Sequence, residues 1–467
     1  MSPAKRPAKA KQQESDVDGS RSGVRQPLEM KEGSRPGMRQ PLEMKEGSRS
    51  GMRQPLERIE CDILVAGAGS AGLSAAHAFA AQGRRVVVAG KIETHLAGRT
   101  VALFEGSLRF YRALGLWPRL AEHSAPMEGI RMIDDTGSIF PTSPKEFRSR
   151  EIDLDAFGEN IENNALVAEL AQAARENPAI TLIEDLIDLF ELNFSGARAR
   201  LASGGWIDAK FIVAGEGRNS QARQIAGITV ATWSYPQVAL TALLVHEKPH
   251  HQISTEFHKR SGPFTFVPLR GREGAPYRSS LVWLVSPRDA LRLQALPPEE
   301  LAAEIEDASH GLLGKITLDG PLGAFPMGAL KTSRVTGTRM ALIGESAHLF
   351  PPIGAQGLNL SLRDIANLVD CLEGVNLDEA DDIARGLERY ERQRARDIGL
   401  RLRSIDVLNR SLLVDALPVD FARAFALSFF SAVGPLRRAL MREGVTPHGP
   451  TPKLMRVPHP ERANGPR

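Results

Sequence analysis

A short pattern near residue 65 restricts the possible folds of this 467-residue chain more than any other feature. Residues 62–66 read DILVA, an apolar run typical of a buried parallel strand, and the turn Gly67-Ala-Gly-Ser-Ala-Gly72 follows it. An alanine-rich helix is predicted from Leu73 to about Gln82, and residues 85–89 (RVVVA) predict a second buried strand. This order of elements indicates a dinucleotide-binding α/β fold, with a tight turn in an unrelated fold as the alternative.

The three glycines of the turn have separate roles in this interpretation. Gly67 permits the tight turn, Gly69 lets the backbone approach a pyrophosphate, and Gly72 lets the helix pack closely on the strand. The unpaired amides at the helix N-terminus would then bind the phosphates. One expected residue is missing, because Gly90 stands at the end of the second strand, where an acidic residue normally binds the ribose hydroxyls. Glu93 follows three residues later.

Composition excludes several classes of protein. No run of about 18 apolar residues is present, so no transmembrane helix is predicted. The two cysteines, Cys61 and Cys371, are too few for a disulfide framework and suit a reducing, cytoplasmic location. The net charge is only +3 and aromatic residues make up 6%, so nucleic acid is not expected as a partner.

The first 57 residues form a separate region. A unit of 14 residues repeats from Ser20 onward, beginning SRSGVRQPLE, then SRPGMRQPLE, then SRSGMRQPLE. Each unit carries too few apolar residues to offset the entropy of ordering the chain, which predicts a disordered tail. An arm that binds a partner or an anionic surface, and a true start at Met38 or Met52 inside the repeat, are the alternatives.

The rest of the chain alternates between helices and strands. Helices are predicted from about Arg99 to Leu116 and from Asn163 to Ala174, and strands are predicted between residues 180 and 215. A β-rich stretch over about 229–287 has the character of an antiparallel domain inserted into the first. Residues 339–343 predict a further buried strand, and a helix is predicted from about Gly357.

Three separated motifs carry a resemblance to a known family. They are the turn at 67–72, Gly215-Glu-Gly-Arg-Asn-Ser220 followed by Arg223, and Gly344-Glu-Ser-Ala-His-Leu-Phe-Pro-Pro-Ile-Gly-Ala-Gln-Gly-Leu-Asn359. Over roughly residues 60–460 the chain resembles the FAD-dependent aromatic hydroxylases of the p-hydroxybenzoate hydroxylase type, and within them the ubiquinone-biosynthesis monooxygenases. Glu216 and Glu345 stand where the family has aspartate, which keeps the charge and adds one methylene group.

The resemblance implies a fold and a division into domains. The expected fold is α/β, with a Rossmann-type FAD-binding domain, an inserted antiparallel β-sheet substrate domain and C-terminal helices. Residues 1–57 are the tail, and 58–228 are the first part of the FAD-binding domain, with some substrate-domain strands. Residues 229–335 are mainly the substrate-binding β-domain, 336–390 the second part of the FAD-binding domain, and 391–467 the C-terminal helices and tail.

The resemblance also implies a set of cofactor-binding residues. They are Gly67, Gly69, Gly72, Arg99, Glu216, Gly217, Glu345, Pro352, Gly354, Gln356, Gly357, Leu358 and Asn359. The amides of Leu358 and Asn359 are expected to face the pyrimidine edge of the isoalloxazine, where a helix N-terminus favours the negative charge of reduced flavin. Arg99 is expected at the pyrophosphate, with a solvated surface arginine as the alternative. His348 is expected to be structural rather than a general base.

The chemistry implied by the resemblance is ring hydroxylation by a flavin hydroperoxide that reduced FAD forms with O₂. The substrate would be a prenylated phenol or quinol, and the electron donor, NAD(P)H or another, is left undetermined. No catalytic side chain and no metal site are assigned. Another flavin enzyme, namely a soluble phenol hydroxylase or a prenyl-lipid reductase, is one alternative. A non-catalytic FAD-binding subunit of a biosynthetic complex is the other.

Two apolar groups leave alternatives open. Phe257, Phe264, Phe266 and Trp283 could line a channel for a prenyl chain or form plain core. The segment 421–441, with arginines behind its apolar residues, could lie on a membrane surface or a partner, or pack on the FAD-binding domain. Peripheral association with the inner face of the membrane, or with a biosynthetic complex, therefore stays open beside a purely cytoplasmic location.

Overall fold

The strand and glycine-turn unit near residue 65 lies in the parallel core of one of two large sheets. The computed structural model describes residues 58–93, 98–137, 143–351, 356–413, 434–445 and 451–457, so the predicted tail lies outside the described residues. Within them the helices are α1 (Ser70–Ala80), α2 (Glu105–Ala113), α3 (Trp117–Ala121), α4 (Asn163–Glu176), α5 (Gln221–Ile225), α6 (Pro287–Gln294), α7 (Pro298–Ala308), α8 (Gln356–Leu372), α9 (Ala380–Leu413) and α10 (Gly434–Val445).

Strands of the described residues form three sheets. They are β1 (Arg58–Ala66), β2 (Val86–Ala89), β3 (Thr100–Phe104), β4 (Ser124–Met127), β5 (Gly129–Asp134), β6 (Lys145–Arg148), β7 (Gly158–Glu162), β8 (Ile180–Ile183), β9 (Ile187–Leu192), β10 (Ala197–Leu201), β11 (Trp206–Ala214), β12 (Val230–His246), β13 (Ile253–Lys259), β14 (Gly262–Leu269), β15 (Arg278–Val285), β16 (Ile316–Leu318), β17 (Gly323–Thr332), β18 (Thr336–Gly337), β19 (Met340–Leu342) and β20 (His348–Leu349).

The first sheet is the predicted dinucleotide-binding sheet. Its parallel strands lie in the order β19-β11-β1-β2-β8, and the antiparallel pair β9 and β10 is added beside β11. Residues 63–66 of β1 are fully buried, because α1, α4 and α8 pack around the parallel core. The strand predicted at 62–66 and the helix predicted from Leu73 are therefore confirmed, although α1 begins three residues earlier, at Ser70.

The second sheet has the order β20-β17-β12-β15-β14-β13-β5-β6, with β16 beside β12. All its pairs are antiparallel except β13 with β5. The chain enters the inserted region through β12 and leaves it through β17, and these two strands pair from Val230↔Thr332 onward. The predicted class, a Rossmann-type sheet with an inserted, mainly antiparallel sheet, is confirmed. The domain boundaries inferred from the sequence stay predictions.

One predicted helix is wrong in its first part. Residues 100–104 (TVALF) form β3, which pairs antiparallel with β7 in a small sheet of order β3-β7-β4. The helix α2 begins only at Glu105. The β-branched Thr100 and Val101 suit a strand, and pairing with β7 satisfies the backbone groups that a helix would otherwise satisfy.

The described part of the C-terminal region packs on the rest of the protein. Met441 and Val445 of α10 share a small core with Phe147, Ile152 and Phe157. This supports the packed-helix alternative for residues 434–441, whereas 421–433 lie outside the described residues. Among the helices that the structure describes, none is both long and apolar enough to span a membrane.

Candidate dinucleotide-binding site

Three glycine-bearing turns meet at the carboxyl edge of the first sheet. Gly67 follows β1, Gly215 follows β11 and Gly344 follows β19. Gly67 has φ +104°, and a Cβ at this position would lie 2.4 Å from the carbonyl oxygen of Gly215. The turns after β1 and β11 are therefore in direct contact. This edge of a parallel sheet is where ligands of such folds bind.

The N-terminus of α1 is free to bind an anion. Gly69 precedes the helix without a side-chain cap, and the first turn contains no acidic residue. A Cβ at Gly69 would meet no atom within 4 Å, so the space beside it is open. A Cβ at Gly72 would lie 1.8 Å from the oxygen of Gly67, which requires glycine there. The amides of this first turn can therefore donate to phosphate oxygens, and the predicted roles of the three glycines fit this geometry.

The turn after β11 uses its acidic residue internally. The Glu216 carboxylate accepts hydrogen bonds from the Ser220 hydroxyl at 2.6 Å and from the Ala222 amide at 3.2 Å. Burial raises the pKa of Glu216, although these hydrogen bonds oppose the shift. The Gly217 amide donates to Ser346 Oγ at 3.1 Å. Glu216 therefore stabilises its own turn and the start of α5, and Gly217 links the turns after β11 and β19.

Arg223 fastens the same two turns together. Its side chain is buried, and its guanidinium donates to the carbonyl oxygens of Ser346 at 3.0 Å and Arg218 at 2.7 Å. Arg218 itself is exposed. The second sequence motif therefore connects the turn after β11 to the turn after β19.

Glu345, in contrast, has an unused carboxylate. It is half-buried on the turn that follows β19. Within the described residues it makes no hydrogen bond or ion pair. A charge held at this edge without a protein partner is suited to accept hydrogen bonds from the hydroxyl groups of a bound ligand.

The first turn of α8 provides a second set of amides. It consists of residues 356–359 and contains no acidic side chain. The Asn359 amide group accepts from the Phe104 amide at 2.9 Å and from the Ser107 hydroxyl at 2.7 Å, and it donates to the Ala102 oxygen at 2.7 Å. This side chain fixes α8 to β3 and α2.

The other predicted residues of this region divide into two groups. Gln356 accepts a hydrogen bond from Arg401 at 3.2 Å, while Gly357 and Leu358 complete the helical turn beside it. Pro352 and Gly354 lie outside the described residues.

Arg99 lies directly before β3 and contacts the second sheet. Its guanidinium carbon is 5.1 Å from the centre of the Phe325 ring of β17, and its carbonyl oxygen accepts from the Asn163 amide at the start of α4. The side chain makes no ion pair with another described residue. Its charge is thus available to an anion, as predicted for the pyrophosphate.

A buried ionic cluster behind the site escaped the sequence analysis. Asp364 of α8 is completely buried and accepts hydrogen bonds from His348 at 2.7 Å, Gly344 at 3.0 Å and Arg394 at 2.7 Å. Burial opposes its ionisation, but His348 and Arg394 nevertheless keep the pKa of Asp364 below its usual value. His348 is therefore a structural residue, as expected. The sequence did contain a signal for the burial of Asp364, because it lies four residues from both Leu360 and Leu368 and so shares their buried helix face.

The four candidate channel aromatics belong to a different core. Phe257, Phe264, Phe266 and Trp283 pack with Leu293 of α6 and Ile305 of α7 on one face of the second sheet. The plain-core alternative therefore holds for them. The opposite face of the sheet, including Ala239, Leu284 and Met327, packs against the core of the first sheet. In the described residues no group of three His, Cys, Asp or Glu side chains is arranged to hold a metal ion.

A parallel sheet with phosphate-binding geometry at its carboxyl edge, carrying an inserted and mainly antiparallel sheet, is typical of a dinucleotide-binding protein. Sequence comparison identifies the family. The FAD binding domain family matches residues 60–399, and the chain belongs to this family. It is a flavoprotein monooxygenase with FAD as cofactor, as the sequence resemblance implied.

Curated relatives cover most of the chain. Ubiquinone hydroxylase UbiL of Rhodospirillum rubrum is 32% identical over 406 residues, which span 85% of this chain and 92% of that protein. The 3-demethoxyubiquinol 3-hydroxylase of Escherichia coli is 28% identical, over 74% of this chain and 86% of that protein. The ubiquinone biosynthesis monooxygenase COQ6 of Caenorhabditis elegans is 26% identical, over 73% and 83%.

Solved structures support the fold. The p-nitrophenol 4-monooxygenase PnpA of Pseudomonas putida aligns with a TM-score of 0.67 at 16% identity, over 83% of this chain and 98% of that chain. Klebsiella pneumoniae HpxO, solved with FAD and uric acid, aligns with a TM-score of 0.66 at 17% identity, over 83% and 96%. The predicted likeness to aromatic hydroxylases is thereby confirmed at the level of the fold.

Proposed function

We propose that this chain hydroxylates the aromatic ring of a prenylated phenol or quinol in ubiquinone biosynthesis. One observation carries the proposal: the 32% identity to ubiquinone hydroxylase UbiL extends over 85% of this chain and 92% of that protein. All three turns of the candidate site lie within residues 60–399, which match the FAD binding domain family. Bound FAD supplies the activation of O₂ and the transfer of one oxygen atom to the ring, with electrons from NAD(P)H or another donor.

Different residues of the chain would bind different parts of FAD. The amides at the start of α1 would hold the pyrophosphate, with Arg99 as an additional cation. Glu345 would accept hydrogen bonds from the ribitol hydroxyls. The amides of Leu358 and Asn359 would donate to the pyrimidine edge of the isoalloxazine, where they stabilise negative charge on the reduced ring.

The substrate would lie between the second sheet and the flavin. The sheet face that turns away from α6 and α7 supports this position, because it carries apolar side chains such as Val282 and Phe325. An apolar wall excludes water from the reacting ring and suits a prenyl group. The protein would promote the reaction by holding the phenol close to the flavin, and we assign no catalytic side chain.

A prenylated substrate resides in the membrane, which supports peripheral association with its inner face. Arg437 of α10 is not available to bind anionic lipid, because its guanidinium donates to the Glu151 carboxylate at 2.7 Å. Flotation of the purified protein with anionic and with neutral lipid vesicles tests this part of the proposal. Absence of the protein from both vesicle fractions would contradict it.

The proposed activity is tested in two stages. The purified protein is expected to be yellow, and the flavin released on denaturation should co-elute with FAD. Expression in strains that each lack one ubiquinone ring hydroxylase should restore ubiquinone in at least one of them, with loss of the accumulated precursor measured by mass spectrometry. Failure in every strain would contradict the proposed substrate, while a colourless protein would contradict the cofactor assignment.

A further inference from the structure

One buried carboxylate connects the two ends of the third sequence motif. Asp364 lies about 12 Å along α8 from its first residue, at 1.5 Å per residue. It nevertheless bonds to the Gly344 amide at the opposite end of the motif. Gly344 immediately precedes Glu345, whose carboxylate has no partner among the residues that the structure describes. The turn that carries Glu345 and the helix that carries the amides of residues 356–359 are thus joined through this side chain.

The second oxygen of Asp364 is held by α9. Oδ1 accepts from Arg394 at 2.7 Å, and Oδ2 accepts from both Gly344 and His348. Arg394 is 1% exposed and also donates to Asp397 at 2.5 Å. Both carboxylate oxygens therefore face N–H donors, and none of these groups is accessible to solvent. Charge and geometry leave Asp364 one orientation in this environment.

We propose that Asp364, held by Arg394, is a positioning residue for the flavin half of FAD, because it sets the Gly344–Glu345 turn at a fixed distance from the first turn of α8. This inference rests on the proposed placement of FAD along Glu345 and α8. The hydrogen bonds of Asp364 go to Gly344, His348 and Arg394, and not to the Gly67–Gly72 turn or the start of α1. We therefore expect Asp364 to affect the flavin half of the cofactor more than the adenosine diphosphate half.

The substitution Asp364→Asn isolates this role. An amide offers one acceptor and one donor, so an NH₂ group would face either Arg394 or the Gly344 and His348 donors. The side chain keeps its size, but one of its two sets of hydrogen bonds is lost. The Gly344–Glu345 turn should then shift relative to α8.

Asp370→Asn is the matched control. Asp370 lies on the same helix and also accepts a backbone hydrogen bond, from Lys453 at 2.9 Å, but at the end of α8 remote from the turn. Both variants therefore replace one α8 aspartate by asparagine and weaken one contact to a backbone amide.

The experiment measures dissociation constants of FAD and of ADP for the FAD-stripped proteins by calorimetry. For Asp364→Asn we expect FAD to bind at least ten-fold more weakly, with ADP within two-fold of wild type. Asp370→Asn should leave both unchanged. An unchanged FAD affinity in folded Asp364→Asn would overturn the proposal, and so would an equal loss for FAD and ADP.

Should Asp364→Asn fail to fold, Arg394→Lys provides the second variant. It keeps the positive charge but loses the guanidinium fork, and the same difference between FAD and ADP is expected. Equal effects on FAD and ADP in this variant would also overturn the proposal. A wild-type protein that binds no FAD would instead refute the placement of FAD itself, so the two failures can be told apart.

Discussion

Gly90 occupies the position at which an acidic residue would be expected to bind the adenosine ribose. A Cβ on Gly90 would lie 2.6 Å from the Ala68 amide nitrogen and 2.9 Å from Gly67 Cα. Both atoms belong to the backbone of the first glycine turn and cannot move without disturbing it. The missing carboxylate is therefore a consequence of how closely the end of β2 packs on this turn.

Introducing the acid at this position should harm the protein. We expect Gly90→Asp to weaken FAD binding and to lower the free energy of unfolding by about 1–3 kcal/mol, the usual cost of overpacking. Lys91→Asp is the control, because Lys91 is exposed and the carboxylate is moved by only one residue. Chemical denaturation and FAD titration of both variants measure the effect. Tighter FAD binding by Gly90→Asp would contradict the packing argument.

Glu216 and Glu345 form a natural pair for a second test. Glu345 has no partner in the described residues, whereas Glu216 holds Ser220 and Ala222. We expect Glu345→Ala to leave the stability of the FAD-free protein unchanged and to weaken FAD binding by ten-fold or more, since a hydrogen bond to a charged group contributes about 1.5–3 kcal/mol. Glu216→Ala should lower the stability of the FAD-free protein and leave FAD binding unchanged. Melting temperatures and FAD titrations would show whether the two effects separate in this way.

The same pair marks the limit of sequence analysis at the residue scale. The tight glycine turn at residues 67–72 and the structural role of His348 were predictable from the sequence, whereas the cofactor-binding roles of the third motif stay predictions. The two glutamates stand in similar glycine turns, and only their surroundings distinguish a carboxylate that braces the protein from one that is free. Asp364 and Arg394 escaped for the same reason, since their partners are distant in sequence.

At the scale of elements, Arg437 makes short polar contacts between α10 and the segment around Glu151. Arg437 forms two hydrogen bonds of 2.7 Å to Glu151, and its guanidinium lies 4.3 Å from the centre of the Phe147 ring. The hydrogen bonds from Arg437 lower the pKa of Glu151. Met441 and Val445 add apolar contacts to the same region.

Removal of this arginine should detach the helix before it affects the rest of the protein. For Arg437→Ala we expect faster hydrogen exchange in residues 434–445 and a loss of roughly 1–3 kcal/mol in the local stability of α10. Arg438→Ala is the control, because Arg438 is exposed on the same helix. Equal exchange rates for α10 in the wild type and Arg437→Ala would contradict the assignment.

Elements with strong local patterns were predicted well, and those that depend on distant pairing were not. The run DILVA and the alanine-rich helix after it are locally defined, and they appear as β1 and α1. The segment TVALF fits a strand or a helix, and pairing with β7 decides it. Likewise, β5 joins the second sheet through β13, more than a hundred residues later in the chain, which no local pattern reveals.

The whole molecule depends on connections between its two large sheets. The inserted sheet is attached through the paired strands β12 and β17, and β20, which lies within the third motif, pairs antiparallel with β17. Helices α8 and α9 are joined by a cluster of ionic hydrogen bonds between Asp364 of α8 and Arg394 and Asp397 of α9. Loss of charge in this cluster should therefore lower the stability of the entire protein.

Acid stability tests that expectation. Burial opposes ionisation of Asp397, but Arg394 and Arg401 of α9 and Arg363 of α8 lower its pKa from the ordinary 3.8 to about 2. Because the folded-state pKa is depressed, the carboxylate stabilises the fold fully above about pH 4 and loses this contribution as the pH falls towards 2. The difference between the two pKa values corresponds to about 2 kcal/mol.

Comparison with Asp397→Asn isolates this contribution. The free energy of unfolding in urea should be lower for the variant than for the wild type at pH 7, and the gap should shrink by about 2 kcal/mol as the pH falls from 4 to 2. Asp381→Asn, an exposed change on the same helix, should match the wild type at every pH. A gap that stays constant down to pH 2.5 would mean that Asp397 acts by packing alone and that charge does not hold α9 to α8.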